Sequence, residues 1–418
     1  MLSKKTIPLG DLAEKITVGY VGSMASEYVD EGIPFLRSLN IRPFFFDPSN
    51  LKYVTSAFHN KIKKSTLRPG DVAVVRTGSP GASCVIPDFL EEANCSDLVI
   101  IRCGEKLDPH FVSYYINSVT HSQIKGQLVG AIQKHFNIGS AKEIAFPDID
   151  KSTQSKISAV LSSLDAKIDC NNRINAELES MAKTLYEYWF VQFDFPDVNG
   201  NPYKSSSGKM RYNATLKREI PEGWADGTLN DLGQIVGGST PSTKNPDNFT
   251  NNGTPWITPN DLSDNLSNKF ITRGAQDVSD EGIKDASLKK YPAGTVLLSS
   301  RAPIGYMAIA RAELTTNQGF KSFIPCNGYS SAFIYYSVMS SMKAITQYAS
   351  GSTFKEVSAA VLKTVKITRP EQSIVTKFTQ RVDPIFRRQD LLEQENRQLT
   401  QLRDWLLPML MNGQVTVT

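Results

Sequence analysis

The chain has 418 residues, 40% of them hydrophobic and 21% charged, with a formal net charge of +4. That length supports two or three domains with their own cores, and the balance excludes a largely disordered chain. The small positive charge permits a nucleic-acid partner without arguing for one.

In chain order, residues 1–148 read as short strands broken by turns. Val72-Ala73-Val74-Val75 and Leu98-Val99-Ile100-Ile101 are β-rich runs bounded by Gly, Pro or Asp. A helical stretch at Phe111–Val119, a loop at Gly130 and a closing strand near Ile144–Phe146 follow. The pattern then changes. Ile157, Leu161, Leu164, Ile168, Asn171, Asn175, Leu178, Ala182, Leu185 and Trp189 recur at alternating spacings of four and three, a heptad seam with two asparagines in it. The segment 193–219 is rich in Pro, Gly, Ser and Asn and reads as an ordered loop. Residues 220–369 repeat the first order, with Val296-Leu297-Leu298, a helical stretch at Ala332–Met342, a loop at Gly351 and a strand at Thr364–Thr368. A second seam closes the chain in 370–418, through Val375, Phe378, Val382, Ile385, Gln389, Leu392, Asn396, Leu399, Arg403, Leu406 and Leu410.

The repeat is visible residue by residue, about 220 positions apart. Gly32-Ile33-Pro34-Phe35 answers to Gly253-Thr254-Pro255-Trp256, Pro69-Gly70-Asp71-Val72 to Ala293-Gly294-Thr295-Val296, and Tyr114 to Tyr336. A period this long excludes a solenoid and indicates two α+β modules, 1–148 and 220–369, each followed by a helix. Each helix, of about 35–40 residues, would run roughly 50–60 Å. Two seamed helices of equal length most simply pack antiparallel, which would relate the modules by a pseudo-twofold axis and hold them apart. The polar seam positions either fix register or are solvated where the seam is loose; the sequence leaves both open. Two separated modules suit a partner with two separated sites, and duplex DNA leads.

Other chemistries find little support. The five cysteines form no CxxC pair, which argues against structural zinc and a disulfide framework and suits a reducing cytoplasm. All four histidines fall in the first module, so no His-based site is duplicated. No signal-like N-terminus and no apolar run of about 18 residues is present, so neither secretion nor a membrane partner is expected. Asn201-Pro202-Tyr203 looks like the Asn-Pro-Pro-Tyr motif of amino-methyltransferases but lacks one proline, and no glycine-rich loop after a strand offers a cofactor site. Ser207-Gly208-Lys209 imitates the end of a P-loop, yet the first glycine's place is held by Tyr203. Phe44-Phe45-Phe46 is expected in the core or between module and helix, since bases in a duplex stay stacked.

Trp189-Phe190-Val191-Gln192-Phe193-Asp194-Phe195-Pro196, Gly200-Asn201-Pro202-Tyr203-Lys204-Ser205-Ser206, Gly208-Lys209-Met210 and Ile220-Pro221-Glu222-Gly223-Trp224 closely resemble the central segment of type I restriction-modification specificity subunits. The ending Leu406-Leu407-Pro408-Met409-Leu410, Gly413-Gln414-Val415 and the duplicated layout are similar to that family too. The resemblance implies two target-recognition domains, each reading one half of a split, asymmetric site in double-stranded DNA. The helices, 149–192 and 370–418, would act as spacers and as docks, with Leu178, Leu185, Trp189, Leu399 and Leu406 as docking candidates. It implies two modification (methyltransferase) subunits and the restriction (nuclease-translocase) subunits as partners, in host defence by DNA methylation and restriction. This chain itself would hold no cofactor: S-adenosylmethionine, Mg and ATP belong to the partner subunits. The alternative is a fused methyltransferase or nuclease with these modules as appendages.

Arg76, Thr77 and Ser79 follow one strand and Ser300 and Arg301 the corresponding one; an arginine there can grip guanine O6 and N7. Lys134 and Lys355, after the paired Gly130 and Gly351, are candidate phosphate contacts, as are Lys63 and Lys64 in the densest basic run. If the helices are a ruler, inserting four residues near Asn171 moves one module by roughly 6 Å, about one turn. The site selected from a randomised duplex pool should then gain one or two base pairs of spacer, at 3.4 Å each, with both half-sites unchanged. An unchanged spacer in a folded insertion variant would show that the helices do not set the distance.

Overall fold

A computed structural model describes residues 5–119, 136–301, 303–348 and 356–417. The chain divides into two compact units, one of Met1–Cys170 with Asn396–Thr418 and one of Asn171–Glu395.

The first unit is organised by a four-stranded antiparallel sheet in the order Ser83–Val85, Val72–Val75, Leu98–Arg102, Lys15–Val18. Its two middle strands are buried on both faces, which is why they read as unbroken apolar runs rather than alternating ones. Val72, Val74, Val99 and Ile101 face a core completed by Phe111, Ile116, Phe146, Ile157 and Leu410. Ala73, Val75, Leu98 and Ile100 face the opposite way, into a second core. A five-stranded sheet in the order Tyr28–Val29, Lys52–Val54, Ile33–Leu36, Ala93–Cys95, Thr66–Leu67 accompanies it, with one parallel pair between Ile33–Leu36 and Ala93–Cys95. The ends of the module are tied together by Thr6–Pro8 pairing with Ala145–Pro147.

The second unit repeats this plan. A five-stranded sheet runs Gly233–Gly237, Lys321–Pro325, Val296–Leu298, Met307–Ala310, Phe270–Ile271. Val296, Leu298 and Phe323 face one core, and Leu297, Ala308 and Ala310 another. The companion sheet runs Phe249–Thr250, Gln276–Val278, Thr254–Ile257, Thr315–Thr316 and again holds one parallel pair, Trp256 opposite Thr315. Ala225–Thr228 pairs with Lys366–Arg369 to close the module.

The long helices are Lys151–Tyr186 and Gln372–Met411, each contributing part of its length to each unit. A wider turn at Glu187–Val191 extends the first, with Gln192 N–H reaching Glu187 O, and turns Trp189 and Phe190 into the core of the second unit. All ten predicted seam residues of the first helix and all eleven of the second are buried or half-buried. In the second unit Asn171 meets Glu395, Glu179 meets Gln389 and Trp189 meets Phe378, so numbers rise along one helix as they fall along the other. The packing there is antiparallel.

The polar seam positions are not loosely solvated. Asn171 is fully buried, and its Nδ2 donates to Glu395 Oε2 at 3.0 Å. Gln389, also buried, donates to Asn175 O and Glu179 Oε2, both at 3.3 Å, and accepts from Lys269 Nζ at 2.9 Å. Lys269 belongs to the second module, is 6% exposed, ion-pairs with Glu179 and donates to Tyr336 Oη at 3.0 Å. Burial lowers its pKa, and Glu179 opposes that shift. Glu393 accepts from the backbone N–H of Lys269 at 2.7 Å and of Phe270 at 3.1 Å, and from Arg311 Nη2 at 2.6 Å. In the first unit Asp165 accepts from the Tyr114 hydroxyl and from Arg403 Nη1, the latter at 2.8 Å. The Arg403 guanidinium lies 4.5 Å from the centre of the Phe44 ring, which itself stacks on Tyr114. Phe44 is therefore the module-to-helix packing residue expected, Phe46 is buried, and Phe45 is exposed. Tyr114 and Tyr336, repeat partners in the sequence, each bond a carboxylate of the first long helix that neighbours a seam leucine, Asp165 beside Leu164 and Glu179 beside Leu178.

The connecting segment differs from the expected loop. Met210–Asn213 and Arg218–Pro221 form a hairpin, closed by Asn213 Oδ1 accepting from Leu216 N–H. The local pattern is too short and too charged to announce a strand pair. Asn201-Pro202-Tyr203 lies in a turn, with Tyr203 stacked on Phe195, consistent with its structural reading. No described helix is long and apolar enough to cross a membrane.

Burial pushes the Glu393 carboxyl up to about 7, against the pull of its N–H donors and Arg311. A folded-state pKa above the unfolded value of 4.5 means the folded state binds the proton more tightly between those limits. This group's contribution should therefore fall by about 2–3 kcal/mol as pH rises from 4.5 to 7 and stay flat above. Urea titrations followed by tryptophan fluorescence should find that slope removed in Glu393→Gln. An identical pH profile in wild type and variant would contradict it.

Candidate nucleic-acid interface

The repeat places the same backbone corner in each module, built from three chain segments. In the first, the strand Val72–Val75 runs out at Arg76, whose N–H donates to Asp97 O at 3.1 Å and whose carbonyl accepts from Phe136 N–H at 3.0 Å. In the second, Val296–Leu298 runs out at Ser300, whose N–H donates to Gly319 O at 2.7 Å and whose carbonyl accepts from Val357 N–H at 2.9 Å. Arg76 and Ser300 thus hold one backbone position, and Thr77 corresponds to Arg301. The hydrogen bonds agree with the repeat alignment of Val72 with Val296, which likewise sets Arg76 opposite Ser300.

A third segment closes the corner from the side. Tyr20 N–H donates to Cys95 O at 2.7 Å, and Ser239 N–H to Thr316 O at 3.1 Å. The residue before each is a glycine for lack of room. A Cβ on Gly19 would stand 2.8 Å from Cys95 O, and one on Gly238 2.0 Å from Thr316 O and 2.3 Å from Asn317 O. Such contacts are with backbone, which cannot swing aside.

The predicted residues fall on this corner unequally. Arg76 is half-buried, with its Nε buried and unpartnered, and neither Arg76 nor Arg301 has an ion-pair partner among the described residues. Arg301 is half-exposed beside Glu356, whose carboxylate pairs with Lys321 at 3.5 Å. Thr77 donates its hydroxyl to Asp97, Ser79 is exposed after Gly78 at φ 83°, and Ser300 is fully buried. Lys63 and Lys64 are exposed in a short 3-10 turn away from the corner's hydrogen bonds. Lys134 and Lys355, with Gly130 and Gly351, lie outside the described residues.

Sequence reading missed the polar tip of the corner. Asp97 Oδ2 accepts from Ser38 Oγ at 2.8 Å and from Thr77, and Gln318 Oε1 accepts from the Thr240 hydroxyl. The available signal was a short polar turn just ahead of an apolar strand, Ser96-Asp97 and Asn317-Gln318-Gly319, in both repeats. Of the docking candidates, Trp189 lies in the core of the second unit, Leu185 and Leu406 pack against cores, and Leu178 and Leu399 are half-buried. The exposed apolar side chains on the long helices are Met181, Leu391, Leu402 and Trp405.

Residues 221–401 match the family model of the type I restriction modification DNA specificity domain. The specificity subunit of type I restriction enzyme HindI from Haemophilus influenzae is 28% identical over 90% of this chain and 92% of its own length. That of type I restriction enzyme MjaIX from Methanocaldococcus jannaschii is 41% identical over 180 residues, 40% of this chain, which spans only 41% of that relative. The crystal structure of a type I restriction-modification S subunit from M. genitalium superposes with a TM-score of 0.59 at 14% identity, covering 98% of this chain and 96% of that one, a likeness of fold. The fold is α+β, and the likeness to the type I specificity domain is carried by residues 221–401, which match its family model.

Gly238→Ala should cost about 1–3 kcal/mol, since the added methyl must push two carbonyls aside. Chemical denaturation checks it, and a neutral effect would mean that the corner yields more easily than its contacts indicate.

Proposed function

We propose that this chain selects the DNA sequence for a methylation and restriction complex by reading a bipartite, asymmetric site, one half with each module. The observation that carries the reading is one corner built twice on the same hydrogen bonds and dressed with different side chains, Arg76, Thr77, Ser79 and Asp97 in one and Arg301, Thr240 and Gln318 in the other. A shared scaffold with unlike tips suits two different half-sites. Arg76 and Arg301 are the candidate guanine readers, and Lys63, Lys64, Lys134 and Lys355 the candidate phosphate contacts. The segments 1–148 and 220–369 serve as the recognition domains, with 149–192 and 370–418 as spacer helices and 193–219 as their connection.

The helices dock two methyltransferase subunits, and restriction subunits join that complex. Leu178, Leu185, Trp189, Leu399 and Leu406 hold the helices in shape for docking, while Met181, Leu402 and Trp405 offer exposed apolar contacts. Methyl transfer to a flipped adenine, with its S-adenosylmethionine, belongs to the partner.

Purified chain alone should transfer no labelled methyl group to DNA, and transfer should appear on adding a methyltransferase subunit. Exchanging residues 1–148 for another specificity subunit's first module should change one half of the methylated sequence only. Transfer by the chain alone, or a change in both halves together, would refute the proposal.

A further inference from the structure

Which atoms read bases is a separate question, and the tip of the corner offers an answer that rests on the DNA reading above. Gln318 is exposed on the turn between Thr315–Thr316 and Lys321–Pro325. That turn is pinned at every residue around it. Ser239 N–H holds Thr316 O, Asn317 N–H is held by Ile257 O at 3.0 Å, Asn317 Oδ1 accepts from Gly319 N–H at 2.8 Å, and Gly319 O holds Ser300 N–H. Gly319 itself has no room for a side chain, with Asn317 Oδ1 and Pro259 each 2.9 Å from where a Cβ would stand. On this fixed backbone the Thr240 hydroxyl donates to Gln318 Oε1, which sets the amide's orientation. One lone pair of that oxygen and both N–H donors of Nε2 remain for a ligand.

An acceptor and a donor side by side on a planar amide match the N6–H and N7 of adenine in the major groove. The corresponding turn of the first module carries Asp97 at φ 56°, where a side chain is uncommon outside Asn and Asp. Its Oδ2 is taken up by Ser38 and Thr77, leaving Oδ1 without a donor among the described residues, an acceptor that matches the N4–H of cytosine. In both modules a hydroxyl from a neighbouring segment orients the tip, so little rotamer freedom is lost on binding.

We infer that this turn is the base-reading element of each module, Gln318 taking an adenine in one half-site and Asp97 a cytosine in the other. The full chain is used to select binding sites from a randomised duplex pool, and each selected position is scored. Gln318→Ala should erase the preference for one adenine, with binding to the original site weakened about tenfold to a hundredfold. All other positions should stay as they were. Thr240→Val should weaken the same preference without abolishing it. Replacing that adenine by 7-deazaadenine removes the N7 acceptor, so it should weaken binding by wild type and not further by Gln318→Ala. Asp97→Asn should lose one cytosine in the other half-site only.

Loss of affinity spread evenly over all positions, or an unchanged site in either variant, overturns the inference while leaving the DNA reading intact. A wild-type chain that selects no sequence would remove both.

Discussion

The ammonium of Lys269 sits between two helices and a β-sheet, and taking it out of water is tolerable only because Glu179, Gln389 and Tyr336 surround it. That requirement dictates much else in the second unit. Glu179 comes from one long helix and Gln389 from the other, so the contact is complete only at one register of the pair. The backbone of Lys269 and Phe270 is held in turn by Glu393, and Arg311 joins Glu393 and Asp390. A slip by one heptad would leave a charge buried without its partner, a loss of about 3–5 kcal/mol. Apolar seams tolerate such slips far better, because any leucine will face another. The first unit solves the same problem with fewer groups, where Asp165 joins Tyr114 of the module to Arg403 of the second helix.

From that anchoring follows the geometry of the corner. The central strands are buried on both faces, so the sheet cannot shift without emptying two cores at once. Arg76 directly follows its strand and Ser300 lies one residue further beyond the other, after Ser299, and their backbone is fixed by carbonyl and amide partners from two other segments. The glycines Gly19 and Gly238 let a third segment approach within contact of backbone oxygens. A rigid frame carrying a few exposed polar tips permits side chains to change at the tips without disturbing the frame.

The amino-acid sequence determined the duplication and the seams, because both are written in spacing. Heptad periodicity survives any tertiary context, and runs such as Val72–Val75 and Leu98–Ile101 must be buried wherever they go. The role of the polar seam positions was not legible, since an asparagine in a heptad reads the same whether it is solvated or bonded to Glu395 across the interface. Equally hidden was the hairpin Met210–Pro221. It depends on which backbone groups meet across its turn, and a short run of charged residues carries no information on hydrogen-bond register. Lys269, Gln318 and Asp97 are ordinary polar residues in sequence. Only the tertiary structure decides that the first is sealed among carboxylate and amide partners while the other two stand at the tip of a pinned turn, because burial and orientation are properties of neighbours brought from elsewhere in the chain.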